Sequence, residues 1–297
     1  MNWNNKRILI IANPLVGIQK EKQHIIESVS SYIIERGGTV DVTYTMKPGA
    51  GEKYAFRATL EGYDAVYAAG GDGTINDVAS GLIGRTTPLG IIPLGTGNGF
   101  ARGIGMPFAL ERIIEVFEKN TVTTIDAGKI SSRLFLATAG IGYDASIAHD
   151  FNTHRTLVSS ISRYFYFAIK KYLFTRPERV ILVVDGQEIK RKIFALTICN
   201  TPQYGGGAII APDANPKSGK LVAVLIPKFS IMKALWAVRK LFNGTANEIK
   251  ELEFITFTTL TINRDKPGLF HRDGEAVNGD RTLTVTVLPS SLHIIVP

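Results

Sequence analysis

The chain has 297 residues, 45% hydrophobic and 20% charged, which suits two ordinary domains with sizeable cores and excludes a disordered or low-complexity protein. No apolar run approaches the roughly 18 residues that a membrane span needs, Met1–Arg7 is polar rather than leader-like, and the single cysteine, Cys199, excludes an intrachain disulfide framework and fits a reducing cytoplasm. The formal net charge of +8 suits an anionic partner, whether nucleotide, nucleic acid or acidic membrane surface, unless it serves solubility alone.

The first part alternates regularly. Apolar, β-rich runs at 7–12, 40–44, 65–69 and 89–93 are separated by helical patterns near 20–36, 52–61 and 75–83, with a further helix at 109–118. This rhythm predicts parallel β-α-β units with both sheet faces covered. Beyond about residue 121 the strand-like runs crowd together, at 121–131, 133–139, 179–185, 188–199, 220–226, 253–263 and 282–288, with Asp185-Gly186 marking a hairpin. A largely antiparallel second domain is expected, with the division near residue 128, giving domains 1–128 and 129–297.

Two helical stretches interrupt the second part. In 156–173 a stripe of Leu157, Ile161, Tyr164, Phe165, Ala168 and Tyr172 stands apart from Arg163, Lys170 and Lys171. In 230–242, Ile231, Leu235, Val238 and Phe242 form a stripe beside Lys233, Arg239 and Lys240. Such stripes either face a core or meet an anionic membrane.

Three polar loops follow strands of the first part. Gly70, Gly71, Asp72, Gly73, Thr74, Ile75 and Asn76 lead from strand to helix, so backbone N–H groups and a helix N-terminus are available to a phosphate. Asp72 would repel phosphate by itself, which suggests a bridging Mg²⁺ or a hydroxyl nearby. The second loop is Leu94-Gly95-Thr96-Gly97-Asn98-Gly99, and the third is Asn13-Pro14-Leu15-Val16-Gly17. Loops that end neighbouring parallel strands converge on one crevice, so together they predict a nucleotide cleft. No Walker A loop occurs, and Gly140-Ile141-Gly142-Tyr143-Asp144-Ala145 lacks the acidic residue that a dinucleotide site needs further on.

Near the C-terminus, His271-Arg272-Asp273 with Asn278 mimics a protein-kinase catalytic loop, but no DFG follows and no kinase glycine loop precedes it. Asp273 and Glu275, at i and i+2, would share one face of an extended chain. A carboxylate there suits deprotonation of an attacking hydroxyl, unless Asp273-Gly274 is an ordinary turn.

GGDGTIND at 70–77, LGTGNGFAR at 94–102 and DGE at 273–275, together with NPLVG at 13–17, Asp126-Ala127-Gly128 and GIGYDA, resemble the diacylglycerol kinase catalytic-domain family over nearly the whole chain. The resemblance implies an α/β nucleotide-binding domain with a parallel sheet, similar to NAD kinase and phosphofructokinase, and a β-sandwich C-terminal domain, with the active site between them. It implies ATP and Mg²⁺ as cofactors, with Asn13, Pro14, Gly17, Thr45, Gly70–Asn76, Thr96 and Asn98 at the nucleotide. Asp273 and Glu275 would be the catalytic acids, either one serving as base, with Asp126 in support and Asp72 near the Mg²⁺. The implied partners are a diacylglycerol-like or sphingoid-like lipid substrate and a peripheral anionic membrane surface, without nucleic acid; an exposed edge strand would let two copies pair as a homodimer. The implied place is the cytoplasm, at the membrane periphery.

Three positions depart from the family pattern. Val16 replaces a serine, Gly99 an aspartate, and Ser218 a carboxylate that would join the carbonyls of Asn215 and Lys220 around a structural Mg²⁺. These departures keep a lipid- or nucleotide-binding homologue without activity beside the lipid kinase, and GGDGT, shared with NAD kinases, keeps a kinase of a soluble substrate such as NAD.

Overall fold

The computed structural model describes residues 3–13, 20–47, 49–153 and 171–297. The chain forms two compact units, Met1–Asp126 with Pro289–Pro297, and Ala127–Leu288. The amphipathic stretch expected at 156–173 lies outside the described residues except for its last three, and so do Pro14, Val16 and Gly17.

The first unit runs β1 (Arg7–Ala12), α1 (Lys20–Ile34), β2 (Thr39–Tyr44), α2 (Ala50–Leu60), β3 (Ala65–Gly70), α3 (Asp72–Leu82), β4 (Leu89–Pro93), α4 (Gly99–Gly103) and α5 (Leu110–Lys119), and then enters β5 (Thr121–Ile130). Its strands pair in parallel in the order β2-β1-β3-β4. β3 and β4 are buried along their whole length and β1 from Ile8 onward, as expected of a parallel sheet covered on both faces. Ile26, Val29 and Ile33 of α1, Val78 and Leu82 of α3, and Ile113 and Phe117 of α5 supply apolar cover. Tyr67 stacks on Phe117 with ring centroids 4.1 Å apart. The C-terminal segment returns to this unit, with Ile294 registered in parallel beside Leu89.

The second unit continues through β6 (Arg133–Phe135), β7 (Thr138–Gly142), α6 (Tyr143–Thr153), β8 (Glu178–Val184), β9 (Gln187–Ile193), β10 (Ala195–Cys199), β11 (Gln203–Gly205), β12 (Ala208–Ile209), β13 (Leu221–Ile226), α7 (Ile231–Phe242), β14 (Glu253–Phe257), β15 (Thr259–Arg264), β16 (Gly268–Arg272), β17 (Glu275–Gly279) and β18 (Thr282–Val296). One antiparallel sheet has the order β14-β13-β10-β7-β16-β17, and a second brings β18 to β15, β8 and β9. Leu182, Leu260, Ile262 and Val285 of the second sheet share a core with Ile141, Leu196, Ile198 and Phe270 of the first, which makes a sandwich. Asp185 and Gly186 both have positive φ (46° and 89°) at the β8–β9 turn, the left-handed pair that a tight hairpin requires.

α7 does not turn its stripe to a core. Ser230 caps it by accepting from the Lys233 N–H, yet only Ala237 is buried. Met232, Leu235 and Phe242 are 79%, 62% and 59% exposed, and Ile231 and Val238 are exposed as well.

Candidate active site

In the first unit the strand ends bring the loops together. β1, β3 and β4 are adjacent, and their last residues are in register: Ala12 with Ala69, and Gly70 with Pro93. The N–H of Asn13 donates to the Ala69 carbonyl (3.1 Å), that of Thr45 to the Ala12 carbonyl (2.9 Å), and that of Leu94 to the Gly70 carbonyl (2.9 Å). Asn13, Thr45 and the two glycine loops thus share one sheet edge. The loops after β3 and β4 touch: a Cβ on Gly95 would lie 2.4 Å from the Gly71 Cα. This approach needs glycine, because no real Cβ tolerates so short a contact with backbone.

A carboxylate locks the two loops. Asp72 opens α3, and its Oδ2 and Oδ1 accept the N–H groups of Gly99 (2.9 Å) and Phe100 (3.0 Å). Asn98, in the left-handed region (φ 49°), closes its own loop by accepting from the Gly95 N–H and donating to the Gly95 carbonyl. The first task of Asp72 is therefore to hold the second glycine loop against the first. Each oxygen accepts one such bond, and a carboxylate oxygen has a further lone pair for a cation or hydroxyl. Thr96 is exposed and Gly73 half-buried, whereas Thr74 and Asn76 are buried within α3. Asp126 is buried too, and its Oδ1 accepts the Ser290 N–H (2.8 Å) of the returning C-terminal segment.

In the second unit, Asp273 and Glu275 do not share a face of extended chain. Arg272 pairs with Glu275 across the β16–β17 hairpin, and Asp273-Gly274 is its two-residue turn, with φ of 43° and 81°. An Asp-Gly pair adopts that left-handed geometry more readily than a straight strand. Asp273 is also an anchor: its Oδ2 accepts the Leu136 N–H (2.8 Å), and its Oδ1 accepts those of Ala137 (2.8 Å) and Thr138 (2.9 Å). Its own N–H donates to the Thr138 carbonyl (2.7 Å). Glu275 is exposed and meets the Arg272 guanidinium at 3.2 Å, while that guanidinium also donates to the Leu134 carbonyl. Arg272 was not among the sequence candidates; only its neighbours in the acid turn pointed to it.

The loop at 215–220 does not suit a structural cation. The Ser218 hydroxyl lies 2.8 Å from the Asn215 carbonyl and 3.1 Å from that of Lys220, the two oxygens a metal would need. A neutral hydroxyl brings no charge to offset a divalent ion, and no cluster of three or more acidic, histidine or cysteine ligands occurs among the described residues. The expected metal set of Asn215, Ser218 and Lys220 is thus joined by a hydrogen-bonding serine.

An α/β unit with glycine loops at one sheet edge and an antiparallel sandwich carrying an acid turn make a two-domain fold shared with diacylglycerol kinases. Residues 7–130 match the diacylglycerol kinase catalytic domain, and residues 137–296 match the YegS C-terminal NAD kinase beta sandwich-like domain. The chain belongs to the diacylglycerol kinase catalytic-domain family. It is 26% identical to a diacylglycerol kinase of Bacillus subtilis, over 91% of this chain and 90% of that protein. It is 27% identical to a Yersinia enterocolitica protein named "Probable lipid kinase YegS-like", with 89% of each covered. A crystal structure of a diacylglycerol kinase from Bacillus anthracis superposes with a TM-score of 0.74 at 18% identity, covering 98% of this chain and 97% of that one, and shows the shared fold. No helix among the described residues is long and apolar enough to cross a membrane.

Proposed function

We propose that this protein is an ATP-dependent lipid kinase acting on the hydroxyl of a diacylglycerol-like or sphingoid-like lipid. The glycine loops after β3 and β4 bind the nucleotide phosphates through backbone N–H groups, and Asn13 and Thr45, whose own N–H groups are taken by the sheet edge, contact the nucleotide with their side chains. The lipid hydroxyl attacks the γ-phosphorus; an O–P bond forms, the bridging bond to the β-phosphate breaks, and ADP leaves. Glu275 takes the hydroxyl proton. Asp72 is the carboxylate of the phosphate loops that would face magnesium carried with the nucleotide, which would offset phosphate charge.

The observation that carries this reading is the contrast within the acid turn. Asp273 is tied down by three backbone N–H groups, while Glu275 stands exposed at a rigidly held hairpin end. A base must reach its substrate proton, so the choice between the two acids falls on Glu275, with Asp273 as its anchor.

The lipid is met at a membrane. α7 presents an exposed apolar stripe with Lys233, Arg239 and Lys240 and without an acid of its own, Lys233 and Lys240 pairing with Glu251 and Glu248 beyond the helix. Exposed Leu173 and Phe174 extend that patch, because Tyr172 donates to the Phe229 carbonyl (2.9 Å) and Lys228 to the Leu173 carbonyl (3.2 Å) beside the helix start. An apolar stripe with cationic flanks suits an anionic bilayer surface.

The test is incubation of the pure protein with γ-labelled ATP, Mg²⁺ and vesicles carrying a panel of lipids, followed by organic extraction. Label in a phospholipid-like product is expected. Label only in a water-soluble product would move the activity to a soluble substrate, and no labelled product with any lipid would sink the kinase reading.

A further inference from the structure

We propose that Asp144, acting through His271, is a positioning residue for the turn that carries Glu275. The inference rests on the lipid-kinase reading for its catalytic consequence, and on geometry alone for its mechanical one.

The GIGYDA stretch, which has no part in nucleotide binding above, builds this device. In the central strands of the six-stranded sheet, Thr197 of β10 and His271 of β16 both register with Gly140 of β7, so the three residues form one row across the sheet. A Cβ on Gly140 would lie 2.5 Å from Asp144 Oδ2, 2.7 Å from the Leu196 carbonyl and 2.8 Å from His271 Nε2. The missing side chain is the space into which the carboxylate descends. Gly142, with φ 80°, turns the chain directly into α6, and Asp144 falls in the first helical turn.

Asp144 is 5% exposed and His271 3%. Asp144 Oδ2 accepts both the Thr197 hydroxyl and the His271 Nε2–H at 2.8 Å, and Oδ1 accepts the Tyr204 hydroxyl. The carboxylate in contact with the imidazole is thus that of Asp144, and the Asp273 carboxylate acts on it through charge alone. Burial opposes protonation of His271, but the charge and hydrogen bond of Asp144 more than offset it, so the ring titrates above 6.5.

The consequence lies in the hairpin. His271 pairs with Ala276, and the next rung is Arg272 with Glu275. Asp273 fixes the far side of the turn on Leu136–Thr138, and Asp144 fixes the near side through His271. With both fastened, the Glu275 backbone has little freedom. A base held on a short arm keeps its reach to the substrate hydroxyl, and a displacement of about 1 Å in such a group costs up to a hundredfold in turnover.

The full-length protein with Asp144→Asn, His271→Leu or His271→Gln tests this by hydrogen exchange of the 272–276 amides and by kcat and KM for ATP. Asp144→Asn and His271→Leu should speed exchange in that segment, with first-unit amides unchanged, and should lower kcat about tenfold or more while KM for ATP stays within about twofold. His271→Gln, which keeps a side-chain N–H toward Asp144, should restore most of both. Unaltered exchange in Asp144→Asn, uniform loosening of the whole second unit, or equal losses in the leucine and glutamine variants would each overturn the proposal. If the wild type phosphorylates no lipid, the lipid-kinase reading fails, and the exchange measurement still decides the positioning role.

Discussion

Replacing Asp273 with asparagine removes a charge while keeping the side-chain shape and a residue type that tolerates φ of 43°. The asparagine oxygen can keep the bonds from Ala137 and Thr138, but its amide then faces the Leu136 N–H, now 2.8 Å from an acceptor. A hydrogen bond to a charged group contributes about 1.5–3 kcal/mol, and a buried donor left unpaired costs a similar amount, so the net loss is about 3 kcal/mol. At about 3 °C per kcal/mol for a domain of this size, that loss lowers the melting midpoint by roughly 9 °C. Glu275→Gln is the contrasting change: the side chain is exposed and loses only its contact with Arg272, so stability should change by no more than about 0.5 kcal/mol. Its turnover should fall about 10²- to 10⁴-fold, the usual contribution of a general base. Calorimetric melts and the labelled-ATP assay, run on both variants, separate anchor from base. An Asp273→Asn protein that melts like wild type, or a Glu275→Gln protein that keeps its turnover, would refute this division of labour.

Gly95→Ala should force the two glycine loops apart, since its Cβ meets the Gly71 Cα at 2.4 Å; a strain of about 1–3 kcal/mol predicts ATP binding weakened about 5- to 150-fold by titration calorimetry. Ser218→Asp should create a cation site between the Asn215 and Lys220 carbonyls, so that Mg²⁺ or Ca²⁺ at ten times its Kd stabilises the variant by about 1.4 kcal/mol and raises its melting midpoint while leaving wild type unmoved. Leu235→Glu on the exposed face of α7 should lower co-sedimentation with anionic vesicles at least about tenfold, from the lost apolar burial; unchanged sedimentation would exclude that face. The raised pKa of His271 means that its pairing with Asp144 is fully stabilising below 6.5 and is lost as pH rises through the folded value. Melts of wild type against His271→Gln should therefore converge at alkaline pH.

Much of the first unit was legible because its signals are local. Runs such as Arg7–Ala12 and Leu89–Pro93 are buried on both faces and therefore apolar throughout, and the loops that follow them are marked by glycine. The acid turn was legible as a motif with two possible shapes, a strand face from the i, i+2 spacing or an Asp-Gly turn, and the left-handed pair at Asp273 and Gly274 makes it the turn. The hairpin strands β16 and β17, short and mixed in polarity, gave little periodic signal. The α7 stripe was ambiguous because amphipathic periodicity is the same whether the apolar face meets a core or water.

From its own order of residues, this protein's alternating first part, its denser second part and its ordered glycine and acid motifs were already determined, since each depends on neighbours a few positions apart. Only the tertiary structure decided that Asp72 clasps Gly99 and Phe100, that Asp273 anchors on Leu136–Thr138, and that Gly140 makes room for Asp144 beside His271. Each of these pairs residues far apart in the chain, and which donor a carboxylate meets is set by strand order and register, neither of which leaves a periodic mark on the sequence.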